Sequence, residues 1–219
     1  MTAKDEDIIT SPALLKRGLA VERLIQNLIV DSTIHSQDLL VGDRSAVIMA
    51  ARIGAYGSDY STNITCPRCS AVTDATFDLN EITSYSGDDW GDFAIEETPN
   101  GTFLITLPRS GAKVEIRLTT GRDEKLLQQT QKKKKKYNIA EGNTTEIMKL
   151  FVTSVNGATG RAEITKFIEN MPAFDARYLR VAHTKVTPKV DTTQEYICNQ
   201  CQYETELEVP FTTDFFWPK

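Results

Sequence analysis

Apolar positions at helical spacing dominate the first third of the chain. Between Ser11 and Val30, Leu14, Gly18, Val21, Ile25 and Leu28 recur on one helical face, with Ser11 placed to cap the helix and Pro12 in its first turn. The pattern predicts one long helix that Gly18 either weakens by about 1 kcal/mol or opens to close packing. A polar stretch, residues 31–38, precedes a second helical segment from Asp43 to about Ile53. Its run Ser45 to Ala51 is apolar nearly all round and predicts burial, with Gly54 and Gly57 free to end the helix in positive-φ conformations.

Beyond Gly57 the period shortens to two. Strand-like runs lie at 60–65 and 71–77, and again at 195–198 and 203–209. Phe103 to Leu107 and Val114 to Leu118 alternate about a turn at 108–111, the pattern of a β-hairpin. The acidic segment 84–101 reads as an irregular loop or an exposed edge. Helix formers dominate from Arg122 to about Tyr137, although mutual repulsion along Lys132 to Lys136 predicts a mobile distal end. Further helices are expected over 145–155, 164–170 and 172–182, the last opened by Pro172. The fold class expected is α+β: a helical body with a β-hairpin.

The four cysteines add a module to that picture. They form two short pairs, Cys66-Pro-Arg-Cys69 and Cys198-Asn-Gln-Cys201, each flanked by strand-like sequence. Two intervening residues let the backbone curl so that both sulfurs aim at one point, and two such knuckles supply a closed tetrahedral shell of thiolates. A closed shell leaves no position for water or substrate, so the expected role is structural Zn2+. Two disulfides, a redox-active pair or an iron–sulfur cluster are the competing readings of the same residues. The 128 residues between Cys69 and Cys198 exceed ordinary ribbon spacing, so a four-cysteine zinc ribbon would join two sequence-distant segments. The expected organisation is an N-terminal helical segment over 1–58, a discontinuous ribbon from 59–80 and 190–210, an inserted hairpin and helical body over 81–189, and an aromatic tail over 211–219.

Charge and missing motifs narrow the function. The chain of 219 residues has a formal net charge of −5, which disfavours a general nucleic-acid coat. No Lys or Arg falls between Arg68 and Arg109, whereas 109–136 is strongly basic. Such blocks suit charge-complementary contacts within or between chains, or two solvated faces. The five-lysine run is the best argument for a zinc-ribbon nucleic-acid-binding regulator, the alternative function. Against it stand Glu195, Glu204, Glu206 and Glu208 around the second knuckle. No stretch nears the roughly 18 uninterrupted apolar residues of a membrane span. Nor is there a zincin, nucleophile-elbow or phosphate-loop motif, and Asp88 to Asp92 lacks the spacing of a calcium loop. The protein is therefore expected not to be an enzyme.

Several phrases, in order along nearly the whole chain, resemble the baseplate hub proteins of T4-type contractile-tailed bacteriophages. They are Asp38-Leu-Leu-Val-Gly-Asp-Arg44, Ala51-Arg-Ile-Gly-Ala-Tyr-Gly57, the first cysteine pair with Phe77-Asp-Leu79, Leu107-Pro-Arg-Ser-Gly111, Met171 to Arg180, the second cysteine pair, Val209-Pro-Phe211 and Phe215-Phe-Trp-Pro218. The resemblance implies a non-enzymatic part in building the hub and carries the zinc cysteines onto Cys66, Cys69, Cys198 and Cys201. It further implies other baseplate and hub proteins as partners, self-association as a further route, assembly in the host cytoplasm, and a place in the virion tail baseplate. In this family the segment like residues 1–7 follows an additional N-terminal stretch. The aromatics Phe215, Phe216 and Trp217 are candidate partner anchors by their large buriable area, or else pieces of the chain's own core.

Overall fold

Gly18 divides the first helical pattern. In the computed structural model, which describes residues 1–136, 143–210, 215 and 216, helix α1 spans Ala3–Thr10, α2 Pro12–Arg17 and α3 Ala20–Leu28. Gly18 adopts φ 68°, and the Leu19 N–H donates to the Leu14 carbonyl, so the chain closes α2 instead of continuing one long helix. The apolar residues Ile9, Ala20, Leu24 and Ile25 are buried, and Asp5 joins them by accepting from the Thr2 N–H and the Asn27 side chain. Helix α4, Val41–Tyr56, runs longer than the pattern suggested and buries one face only. Met49 and Arg52 are inside while Ala46 and Ala50 are exposed.

The helices and strands together make a mixed α and β fold of two compact units. Unit 1 comprises residues 1–36, 42–85 and 189–219, and unit 2 comprises 37–41 and 86–188. In unit 1, β1 (Asp59–Thr65) pairs antiparallel with β2 (Val72–Asp78), and β9 (Thr193–Ile197) with β10 (Glu204–Glu208). A short pairing joins β3 (Thr83–Tyr85) to β8 (Lys189–Asp191). The core beneath them holds Met49, Tyr60, Phe77, Leu79, Tyr196, Val209 and Phe215.

Unit 2 is built on a four-stranded antiparallel sheet in the order β4 (Ile95–Glu97), β5 (Phe103–Thr106), β6 (Lys113–Ile116), β7 (Val152–Val155). Strand β4, at the edge of this sheet, lies in the acidic segment, where a loop or an exposed edge was expected, and Ile95 is buried opposite Ile105. One strand departs from the sequence expectation. Strand β7 occupies the second half of a predicted helix: α6 stops at Phe151 (Asn143–Phe151). From there Val152-Thr-Ser-Val155, rich in β-branched residues, pairs with β6 and buries Val152, Ser154 and Val155.

Helices α5 (Gly121–Lys136), α7 (Arg161–Asn170) and α8 (Ala173–Val186) complete the unit. The backbone of α5 stays helical through Lys136, where a mobile end was expected, and Lys134 pairs with Glu146 at 3.3 Å. Arg117 forms a two-bond pair with Asp123, and Arg122 pairs with Asp38. Buried Asp175, in the first turn of α8, accepts the N–H groups of Arg109 and Ser110 at 2.9 Å each and so fixes the β5–β6 turn.

His183 in α8 stacks on Phe151 with ring centroids 4.0 Å apart, and its Nε2 is buried with no hydrogen-bond partner. Burial pushes its pKa down to about 4. The charged form is thus more favourable in the unfolded chain, near 6.5, than in the folded one. The contribution of neutral His183 is intact above pH 6.5 and is lost as pH falls toward 4, about 3 kcal/mol in all. Chemical denaturation of the protein at pH 7 and pH 4.5 should show this loss, and His183→Phe should reduce it; an unchanged pH dependence would refute the assignment.

Candidate metal centre

The two cysteine pairs sit in equivalent turns. Cys66 follows directly on β1 and Cys198 directly on β9, and the opposing strand resumes six residues after each. In both turns the first cysteine closes the hairpin by a pair of backbone bonds: its N–H donates to the carbonyl of Ala71 or Tyr203, and its carbonyl accepts from Ser70 or Gln202. Ser70 and Gln202 take left-handed conformations, φ 58° and 53°. A constant offset of 132 residues relates the strand registers Thr65↔Val72 and Ile197↔Glu204. The knuckles are therefore two copies of one backbone solution, although no other sequence repeat betrays it.

All four sulfurs lie within 4.8 Å of one another. Cys66 Sγ stands 3.8 Å from Cys201 Sγ, and Cys69 Sγ 3.8 Å from Cys198 Sγ. Four sulfurs placed tetrahedrally about 2.3 Å from a central zinc would stand about 3.8 Å apart, so the donor set fits that ion. The same separation is far beyond the roughly 2.05 Å of a disulfide, and all four cysteines are free. Cys66 and Cys198 are buried, Cys201 is half-buried and Cys69 exposed. The N–H groups of Cys201 and Gln200 hold the Cys198 thiol down at about 6, while burial pushes Cys201 up to about 12. Four sulfurs this close cannot all ionise without a cation among them, because each thiolate opposes the next.

Side chains that carried no motif lock the hairpins together. The Tyr196 hydroxyl lies 2.8 Å from that of Thr73, linking β9 to β2, and Gln194 Nε2 donates to the Asp78 carbonyl at 2.7 Å. Buried Arg52 donates to the carbonyls of Gly57 and Asp59 at 2.6 and 3.0 Å, and its guanidinium lies within 6 Å of the Tyr56, Tyr60 and Phe215 rings. The Tyr60 hydroxyl donates to the Pro210 carbonyl at 2.9 Å. Arg52, Tyr60 and Tyr196 were missed in the sequence because an isolated arginine or tyrosine has no spacing signal. Strand alternation places Tyr60, Thr62, Ile64 and Cys66 on one face, and that was the available clue.

The C-terminal aromatics divide. Phe215, a candidate partner anchor, is instead fully buried in unit 1, edge-on to Tyr60 at 5.3 Å. Phe216 packs half-buried against the same cluster. The third candidate, Trp217, lies outside the described residues, as do the side chains of Lys135 and Lys136.

Comparison with known proteins adds a family to this geometry. Residues 2–94 match the family model described as T4 bacteriophage base plate protein. Residues 2–94 are thus similar to a T4-type phage baseplate protein. The matched part contains Cys66 and Cys69, with α1 to α4 and β1 to β3, whereas Cys198 and Cys201 lie beyond it. No curated protein and no solved structure matches the chain. Among the described residues, no helix is long and apolar enough to cross a membrane.

Proposed function

We propose that this chain is a non-enzymatic building block or assembly factor of a phage tail baseplate hub. In this reading a single structural Zn2+ held by Cys66, Cys69, Cys198 and Cys201 ties residues far apart in sequence, as a zinc ribbon. The observation that carries the reading is the sulfur cluster, whose 3.8 Å separations suit a closed zinc–thiolate shell. When bound, the ion would neutralise the thiolates and hold the turns of the two hairpins together. A tail transmits force through contacts between rigid parts, and such a staple resists local opening. The match of residues 2–94 supports the baseplate setting, and the resemblance of the ordered phrases to hub proteins points to the hub. Assembly would take place in the host cytoplasm, through contacts with other hub proteins and, where copies meet, with itself.

The nucleic-acid alternative meets an electrostatic obstacle. Glu195, Glu204, Glu206 and Glu208 are all exposed on the second hairpin, and Glu195 stands directly opposite Glu206. That face would repel a phosphate backbone.

The test joins two measurements on untagged protein: zinc per chain by elemental analysis, and recovery of the chain in hub subassemblies purified from infected cells. About one zinc per chain together with hub association supports the proposal. Metal-free folded protein removes the ribbon, and association with nucleic acid in place of tail proteins removes the hub role.

A further inference from the structure

Within unit 2, the end of α6, strand β7 and the first turn of α7 line a half-open cavity of about 260 Å3. Its polar lining is cationic and hydroxylic: Arg117, Lys149 and Arg161 with Thr153, Thr159 and Thr165, and no carboxylate among the lining residues. The three cations differ in what already holds them. Arg117 is saturated by Asp123 and by the carbonyls of Leu118 and Leu150. Lys149 reaches out to Glu169 at 2.8 Å and Glu146 at 3.4 Å. Arg161 has no acidic partner among the described residues, and the hydroxyls of Thr159 and Thr165 have no hydrogen-bond partner there either. Helix α7 opens on Gly160, and Glu163 in its first turn already complements the helix N-terminus, so the positive field of the cavity rests on its side chains.

We infer that this cavity binds a single oxyanion, a carboxylate or a phosphate group. Arg161 is its main charge partner, Lys149 the second, and the Thr159 and Thr165 hydroxyls are donors to it. A cation is excluded by the three positive side chains, and a wholly apolar ligand would strip water from Arg161 and the hydroxyls without replacing their hydrogen bonds. The enclosed volume suits one anionic head group and a few attached carbons, not a polymer backbone tracking along a groove. Arg161 and Thr159 are exposed at the mouth and Thr165 is half-buried; guanidinium and hydroxyl donors set together make charge-assisted hydrogen bonds to one oxyanion. The inference does not depend on the metal centre, which lies in the other unit. The oxyanion has two sources: the acidic side chain of a neighbouring tail protein, or a small phosphate ligand.

The experiment titrates full-length protein at low ionic strength with hexaglutamate and, separately, with inorganic phosphate, following binding by calorimetry. Arg161→Ala should weaken binding about tenfold, the value of one charge-assisted contact. Lys166→Ala removes the same charge from the exposed side of the same helix and should change binding less than about twofold. Thr165→Val tests the hydroxyl without altering charge and should weaken binding several-fold; it also carries the test should Arg161→Ala fail to fold. Tighter binding of hexaglutamate assigns the pocket to a partner's carboxylate, and tighter binding of phosphate assigns it to a small ligand. The inference is overturned if neither anion binds, or if Lys166→Ala weakens binding as much as Arg161→Ala does.

Discussion

Cys198→Ser is expected to abolish metal retention and to destabilise the hairpin-bearing unit by more than about 4 kcal/mol, since structural zinc contributes on the order of 10–16 kcal/mol in small peptides. Hairpins β1–β2 and β9–β10 are two-stranded, and isolated two-stranded ribbons are marginal in water. Their mutual contacts at Tyr196–Thr73 and Gln194–Asp78 are worth about 1 kcal/mol each. The sulfur cluster is thus the largest single tie between them. Cys69→Ser separates this account from simple packing. Cys69 is exposed and Cys198 is buried, so packing alone makes the first substitution nearly neutral and the second costly. A shared zinc makes both costly. Thermal unfolding of the two variants, with and without a chelator, decides the matter. Chelator should lower the melting temperature of the wild type toward that of either variant and leave the variants unmoved. A harmless Cys69→Ser in a protein indifferent to chelator would falsify the zinc staple.

Phe215→Ala should cost about 3–5 kcal/mol, the range for deleting a fully buried phenyl ring. The ring does more than fill space, because it closes one side of the Arg52 enclosure. Arg52 is fully buried, burial lowers its pKa, and its Nε has no hydrogen-bond partner. The Tyr56, Tyr60 and Phe215 rings offer it cation–π attraction in place of water. Removing one ring opens a cavity beside a charge. Phe215→Leu keeps most of the volume and should cost roughly 1.5 kcal/mol or less. Urea unfolding at saturating zinc distinguishes these values from the metal effect. If Phe215→Ala melts like wild type yet no longer associates with tail proteins, the ring is a partner anchor after all and its core role is wrong.

Much of the fold was legible where the signal is local. The alternation around 60–65, 71–77, 195–198 and 203–209 located both hairpins, because a strand with one buried face must alternate. The hairpin at 103–107 and 114–118 followed for the same reason. Errors arose where one local preference competed with a distant partner. The residues 152–155 fit a helical face as well as a strand, and only the open edge of β6 selects the strand. At Gly18 the spacing of Leu14, Val21 and Ile25 was helical on both sides, but the left-handed turn between them is invisible to a periodicity argument.

The sequence by itself determined the ingredients of the candidate centre: four cysteines in two knuckles, each bounded by strand-like runs. Two-residue spacing is a short-range constraint, and it survives whatever the remaining chain does. Tertiary structure decided what no spacing can state. It brought Cys66 to 3.8 Å from Cys201 across 135 positions of sequence, buried Phe215 in the core of unit 1, and left Arg161 facing a cavity without a counter-charge. The physical reason is common to all three. A contact between distant residues is set by the closing of the whole core around them, and that closure is a sum over many weak apolar contacts that no single stretch of sequence contains.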